Sequence, residues 1–228
     1  MFPDSQTENI ERGLQLFIWM SLYADSDIGN ELFGKPDLRK IQVLNNELNE
    51  LYSLVDEYKK EDTKLSIHES HKDIAEICHD ISMTNKNINV YNIDFHDDCY
   101  DSGHSEINCG NWAKLLINRN IINSVSWVKR SDSQCENSEI IGQVYGSIHD
   151  LYYNPTIKEG IDYIFICRSG MWTPPHLDDE FVKLVYTIAG FLDVDEPAGV
   201  RNINYRWTSK MQNEIINLAN QQRIFRKR

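Results

Sequence analysis

The sequence predicts an α+β protein, with a mainly antiparallel curved sheet backed by helices and an N-terminal helical extension. Three observations carry that expectation. Apolar residues recur at three-to-four spacing through most of the first 83 residues, the period of one buried helix face. After Met83, short apolar runs alternate with polar, Gly- and Asn-containing stretches, which favours short strands. From Asp178 onward, an acid-led amphipathic segment reads as a long helix.

The elements follow in order. Thr7 is placed to cap a helix burying Ile10, Leu14, Phe17, Ile18 and Leu22. Gly29 and Gly34-Lys35-Pro36 punctuate the chain. A second helix is expected from Asp37 to about Lys60, where Ile41, Leu44, Leu48, Leu51, Val55 and Tyr58 form a narrow seam. A third begins at Ser70, with Asp73 as its capping partner, and buries Ile74, Ile77, Cys78 and Ile81. Residues 1–85 thus read as a helical region. Asn89 to Phe95 alternates as a strand does, and Asp97 to Gly110 is a polar loop. Trp112–Ile117 and Tyr163–Cys167 are strand candidates, whereas Ile140–Ile148 suits either strand or helix. Asp178 or Asp179 caps the long helix, Phe181, Leu184, Val185 and Ile188 share its face, and Gly190 lies near its end. Residues 199–207 read as a strand or hairpin, and 213–224 as a closing helix.

Charge and cysteine content narrow the function classes. The 228 residues carry a formal charge of −12, and the excess is uneven. Residues 1–105 hold 9 Lys/Arg against 21 Asp/Glu, while residues 106–228 hold 14 of each. An acidic surface repels a polyanion, so nonspecific nucleic-acid binding is disfavoured, but a small basic site fits the neutral second half. Five cysteines without a CxxC pair signal neither a disulfide framework nor a zinc ribbon, and point to reduced thiols in a cytoplasmic protein. The apolar stretch Leu14–Tyr23 follows Glu8 and Glu11 instead of a basic segment, unlike a signal peptide. No segment is long enough for a membrane span.

Chemistry-bearing motifs are few. The GxxxxGKS, GxGxxG, HExxH and GxSxG patterns are missing, which lowers the expectation of an enzyme and leaves no catalytic residue to name. His96, Asp97, Asp98, Cys99, Asp101, His104 and Cys109 are of metal-ligating type, yet their spacing matches no established site. No metal and no cofactor is therefore expected. His68 and His71, three apart at a helix start, carry less weight.

The tryptophans stand out more. Trp127 precedes the polar run Val128-Lys129-Arg130-Ser131-Asp132-Ser133, and Trp172 lies between Ser169-Gly170 and Thr173-Pro174-Pro175. Core packing is the usual fate of an indole, but large aromatics on polar loops suggest stacking on a ligand.

From about Asn111 to residue 224 the chain resembles the eukaryotic translation initiation factor 4E family, the mRNA cap-binding proteins. The resemblance runs through Asn111-Trp112-Ala113 with Leu115, Trp127, Tyr145-Gly146-Ser147-Ile148, Gly160-Ile161-Asp162-Tyr163-Ile164-Phe165 and Met171-Trp172. It continues through Leu177-Asp178 to Ala189-Gly190 and Gly199 to Trp207-Thr208. It implies that residues 86–228 form a cap-binding-like domain in which Trp127 and Trp172 sandwich 7-methylguanine. It also implies that Trp207 lies near the methyl group and that Arg201, Arg206, Lys210 and Arg168 meet the phosphates. Thr173 stands where that family places a glutamate on the guanine edge, so Thr173, Asp178 and Asp179 are the candidates for reading it. Val182, Val185 and Tyr186 would face a translation initiation scaffold protein. The implied event is binding of capped mRNA without bond cleavage. Two other readings compete: an acidic helical interaction module with structural tryptophans, and a metal-dependent hydrolase built on the His96–Cys109 cluster.

Overall fold

The structure, a computed structural model, describes residues 18, 19, 22, 41–85, 87–100, 103, 105–133, 139–169, 173–194 and 217. Along the described chain, α1 (Asn45–Tyr58) runs directly into β1 (Lys59–His68), and a 3-10 turn (His71–Asp73) opens α2 (Ile74–Ser82). Then come β2 (Asn89–Ile93), α3 (Trp112–Asn118), β3 (Ser124–Val128) and β4 (Gln143–Tyr145). A 3-10 stretch (Ile148–Tyr153), the short α4 (Pro155–Lys158), β5 (Ile161–Cys167), a 3-10 turn (Pro175–Leu177) and α5 (Asp178–Phe191) complete it.

The expected antiparallel sheet is corrected here, because every described strand pairing is parallel. β1 pairs with β5, from Lys64 opposite Tyr163 to His68 opposite Cys167. A second sheet has the order β2-β3-β4, with Trp127 between Asn92 and Val144. Parallel neighbours need a crossover long enough to return the chain to the same end. The segment between β2 and β3, which contains α3, supplies one. The result is an α/β arrangement whose central strand is buried on both faces.

β3 shows how. Val125 and Trp127, alternate residues, are fully buried in a cluster with Ile74, Ala75 and Cys78 of α2 and Trp112, Ala113 and Leu116 of α3. Val128 points to the opposite face and joins Leu54 of α1, Tyr145, Ile148, Leu151 and Ile157. Successive residues of a strand face opposite ways, so this one strand feeds two cores. β2 repeats the pattern, with Val90 packed on the first cluster and Tyr91 on the second.

Several local expectations change for physical reasons. β1 lies inside the stretch read as helical. Its opening Lys-Lys-Glu-Asp-Thr-Lys run is polar, and only its ladder with β5, about a hundred residues away, makes it a strand. Trp112–Ile117 is helical instead of extended: Trp112, Ala113 and Leu116, at helical spacing, are its buried residues. The segment before Lys129, read as leading into a loop, is the central strand β3. The 140–148 run divides between β4 and the start of the 3-10 stretch. α5 is found as expected, with three acids in its first turn. Ser70 makes no side-chain capping hydrogen bond.

Contacts divide the chain into two units. One comprises 44–167 and 187–199 and contains both sheets; it runs across residue 85 without a break. The other comprises 1–43, 168–186 and 200–228. Within it, Trp19 and Leu22 are buried against Ile18 and Ile41, and Arg168 forms a buried ion pair with Asp178. The expected elements at 199–207 and 213–224 lie outside the described residues, apart from a helical, exposed Asn217. No helix among the described residues is long and apolar enough to cross a membrane.

Candidate metal centre

In parallel α/β sheets, functional groups collect beyond the carboxyl ends of the strands, where loops leave a rigid scaffold. Three such ends contribute here. β1 ends at His68, and the 3-10 turn that follows carries His71. β2 ends at Ile93, and Asp94 is the next residue. β5 ends at Cys167, which lies opposite His68 in the ladder.

The geometry converges on His71. Its Nδ1 lies 3.3 Å from Asp94 Oδ2 and 3.3 Å from Asp98 Oδ2. One ligand atom from each of these three residues falls within 4.8 Å of the others. These three residues would hold the ion, which would draw on one atom from each. The set is one imidazole nitrogen and two carboxylate oxygens. That combination suits zinc, manganese or ferrous iron better than calcium, which prefers oxygen alone.

The backbone aims these groups. Asp94 Oδ1 accepts from Phe95 N at 2.6 Å, which turns the other oxygen, Oδ2, toward His71. Asp97 is fully buried and accepts from Cys99 N at 3.1 Å, closing a tight turn. Within that turn Asp98 adopts a left-handed φ of 54°. Non-glycine residues in that region cost free energy and concentrate at functional sites. Ala113 N donates to Asp98 O at 3.2 Å, tying the turn to the start of α3.

Two indoles brace the same pair of aspartates. Trp112 Nε1 donates to Asp98 Oδ2 at 2.6 Å, and Trp127 Nε1 donates to the Asp94 main-chain oxygen at 3.0 Å. Asp94 Oδ2, by contrast, is buried and accepts no hydrogen bond. The nearby His71 Nδ1 is close enough for charge attraction but outside hydrogen-bond geometry. A buried carboxylate oxygen without a donor is costly, and a cation in front of it removes that cost.

Electrostatics agree with the geometry. Burial alone would lower the His71 pKa, but hydrogen bonds to Asp98 and Cys167 and the charges of Cys167 and Asp94 outweigh it and raise it to about 11. Asp94 is pushed up by burial, opposed by His71 and reinforced by Asp98. Two carboxyl groups face one imidazole whose proton is tightly held, so a divalent cation would meet a site already organised for positive charge.

The cap-site expectation fares differently. Trp127 is 0 % exposed, on the central strand, with its N–H satisfied by protein. An indole so enclosed presents no face to a nucleobase, which corrects the loop placement on which stacking rested. Arg168 is buried, and its Nε and one terminal nitrogen reach Asp178 Oδ1 at 3.0 and 2.8 Å. Thr173 Oγ1 donates to Arg168 O, Asp179 is exposed, and Asp178 is buried in its ion pair. Of the expected scaffold surface, Val185 is buried, Val182 is half-buried and Tyr186 is exposed. Trp172, Trp207, Arg201, Arg206 and Lys210 lie outside the described residues.

The polar cluster from His96 to Cys109 also separates. Only Asp98 joins the centre; His96 and Cys109 are exposed, Cys99 is buried, and Asp101 and His104 lie outside the described residues. Sequence reasoning passed over Asp94 and gave His71 little weight. One signal was available: Asp94 directly follows an alternating apolar run, at the end of a strand. Comparison of the chain with protein-family models, with curated proteins and with solved structures finds no match.

Proposed function

We propose that this protein binds a divalent transition-metal ion through His71, Asp94 and Asp98 and uses it to activate water for a hydrolytic reaction. The observation that carries this reading is the convergence of three ligand atoms around a buried Asp94 oxygen that has no hydrogen-bond donor. Three protein ligands leave coordination positions free, the arrangement of catalytic sites, whereas structural zinc sites are closed by four. An ion held by His71, Asp94 and Asp98 would supply Lewis acidity, the property by which a metal makes water a better nucleophile near neutral pH. Cap recognition requires an accessible indole face at Trp127, which the enclosed strand position withholds, so the geometry favours the metal reading.

The test is calorimetric titration of chelator-stripped protein with Zn²⁺ and Mn²⁺, followed by assay of the loaded protein on phosphate-ester, carboxylic-ester and amide model substrates. One ion per chain is expected, with hydrolysis of one substrate class that disappears in Asp94→Asn. Failure of both ions to bind the folded protein overturns the proposal.

A further inference from the structure

We propose that Trp112 and Trp127 are positioning residues of this centre, the first fixing the Asp98 carboxylate and the second the main chain of Asp94; the inference rests on the metal reading above. Both rings sit in one core cluster, Trp112 on α3 and Trp127 on β3, and both are buried. A buried indole N–H needs an acceptor, and nothing in general packing requires that acceptor to belong to a metal-binding residue. Here both N–H groups find one, and each finds a different one.

The Trp112 contact is the stronger. It is a 2.6 Å bond to an oxygen that also faces His71 Nδ1 at 3.3 Å and Asn92 Nδ2 at 3.5 Å. At 2.6 Å the bond is short for an N–H donor. It also opposes rotation of the Asp98 side chain, whose backbone already sits in a left-handed conformation. The Trp127 contact acts one atom group further back. By holding the Asp94 carbonyl, it sets where the residue after β2 leaves the sheet. The core cluster that stabilises the fold therefore also sets the spacing of the ligands, and metal affinity depends on N–H groups that never touch the ion.

The experiment replaces each tryptophan with β-(3-benzothienyl)alanine, which has nearly the same shape but no N–H, and with phenylalanine as a second variant. Zn²⁺ and Mn²⁺ affinity is measured beside thermal unfolding of the metal-free protein. Loss of an outer-shell partner costs about ten- to hundredfold in metal affinity, and that loss is expected for the position-112 isostere, with a smaller loss at 127. The metal-free isosteres should unfold at a somewhat lower temperature, each having lost one buried hydrogen bond, while remaining folded at the temperature of the titration. Parent-like affinity in a folded position-112 isostere overturns the positioning role while leaving the metal centre intact. Absence of metal binding by the parent protein overturns the centre itself and the inference with it.

Discussion

His71 shows what the residue scale contributes. Its pKa of about 11 means that it carries a proton at neutral pH in the metal-free chain. A metal ion bound through Nδ1 must displace that proton. Metal binding should therefore release about one proton from His71, and affinity should rise by about tenfold per pH unit between roughly pH 6 and 8. Titration in two buffers of different ionisation enthalpy measures the release; none at neutral pH would remove His71 from the ligand set. The cysteines give a second contrast. Burial pushes the Cys78 thiol up to about 12, while Cys109 is exposed. Thiolate is the reactive form, so iodoacetamide at about pH 8 should label Cys109 and spare Cys78, as peptide mass mapping would show. Trp127→Ala should destabilise by roughly 3–5 kcal/mol, the usual cost of removing a core aromatic. Urea unfolding reads this directly, and a loss below about 1 kcal/mol would contradict the enclosed position.

Elements of this protein are decided by short signals and long-range partners together. α4 illustrates the short signals: Asn154 caps it by accepting from Ile157 N at 3.1 Å, and Pro155 occupies its first turn. Gly160 then turns the chain into β5 with a φ of +113°. A side chain there is strained whatever the room, and the Cβ would also lie 2.5 Å from the flexible end of Lys60. Gly160→Ala should cost about 1–3 kcal/mol, the usual range for a residue held in a sparsely populated region, measured by chemical denaturation. β2, β5 and α5 were legible because each has a clean period, a compact apolar run or an acid-led start. α3 was not, since Trp-Ala-Lys-Leu-Leu-Ile is a short apolar run that fits strand and helix alike. Packing of Trp112, Ala113 and Leu116 against the first core decides for helix. β1 was illegible because its stability comes from β5, far along the chain.

The unit that contains both sheets carries the candidate function as a whole. A ligand that binds only the folded state stabilises it by mass action, by about 2.7 kcal/mol at roughly a hundred times its dissociation constant. Saturating metal should therefore raise the unfolding midpoint by several degrees, and chelator should reverse the shift. Asp98→Asn should abolish the response to metal while the metal-free chain still folds. An equal shift in that variant would place the binding elsewhere. The acidic balance fits this picture, because a centre with two carboxylates gains from a cation and an acidic surface attracts one.

By itself the sequence determined the charge asymmetry, the absence of several established catalytic motifs, the alternation of β2 and the helix from Asp178. These depend on residue type and on spacing within about a dozen positions, which local physics reads directly. The direction of the strands, the burial of Trp127 and the assembly of His71, Asp94 and Asp98 were decided only by tertiary structure. Parallel ladders join segments as distant as Lys64 and Tyr163, and a site at strand ends draws its ligands from separate crossovers. No local pattern records which ends will meet. The same distance explains the tryptophans: an indole beside a polar run reads as exposed until helices from distant parts of the chain, Ile74–Ser82 and Trp112–Asn118, pack over its face of the strand.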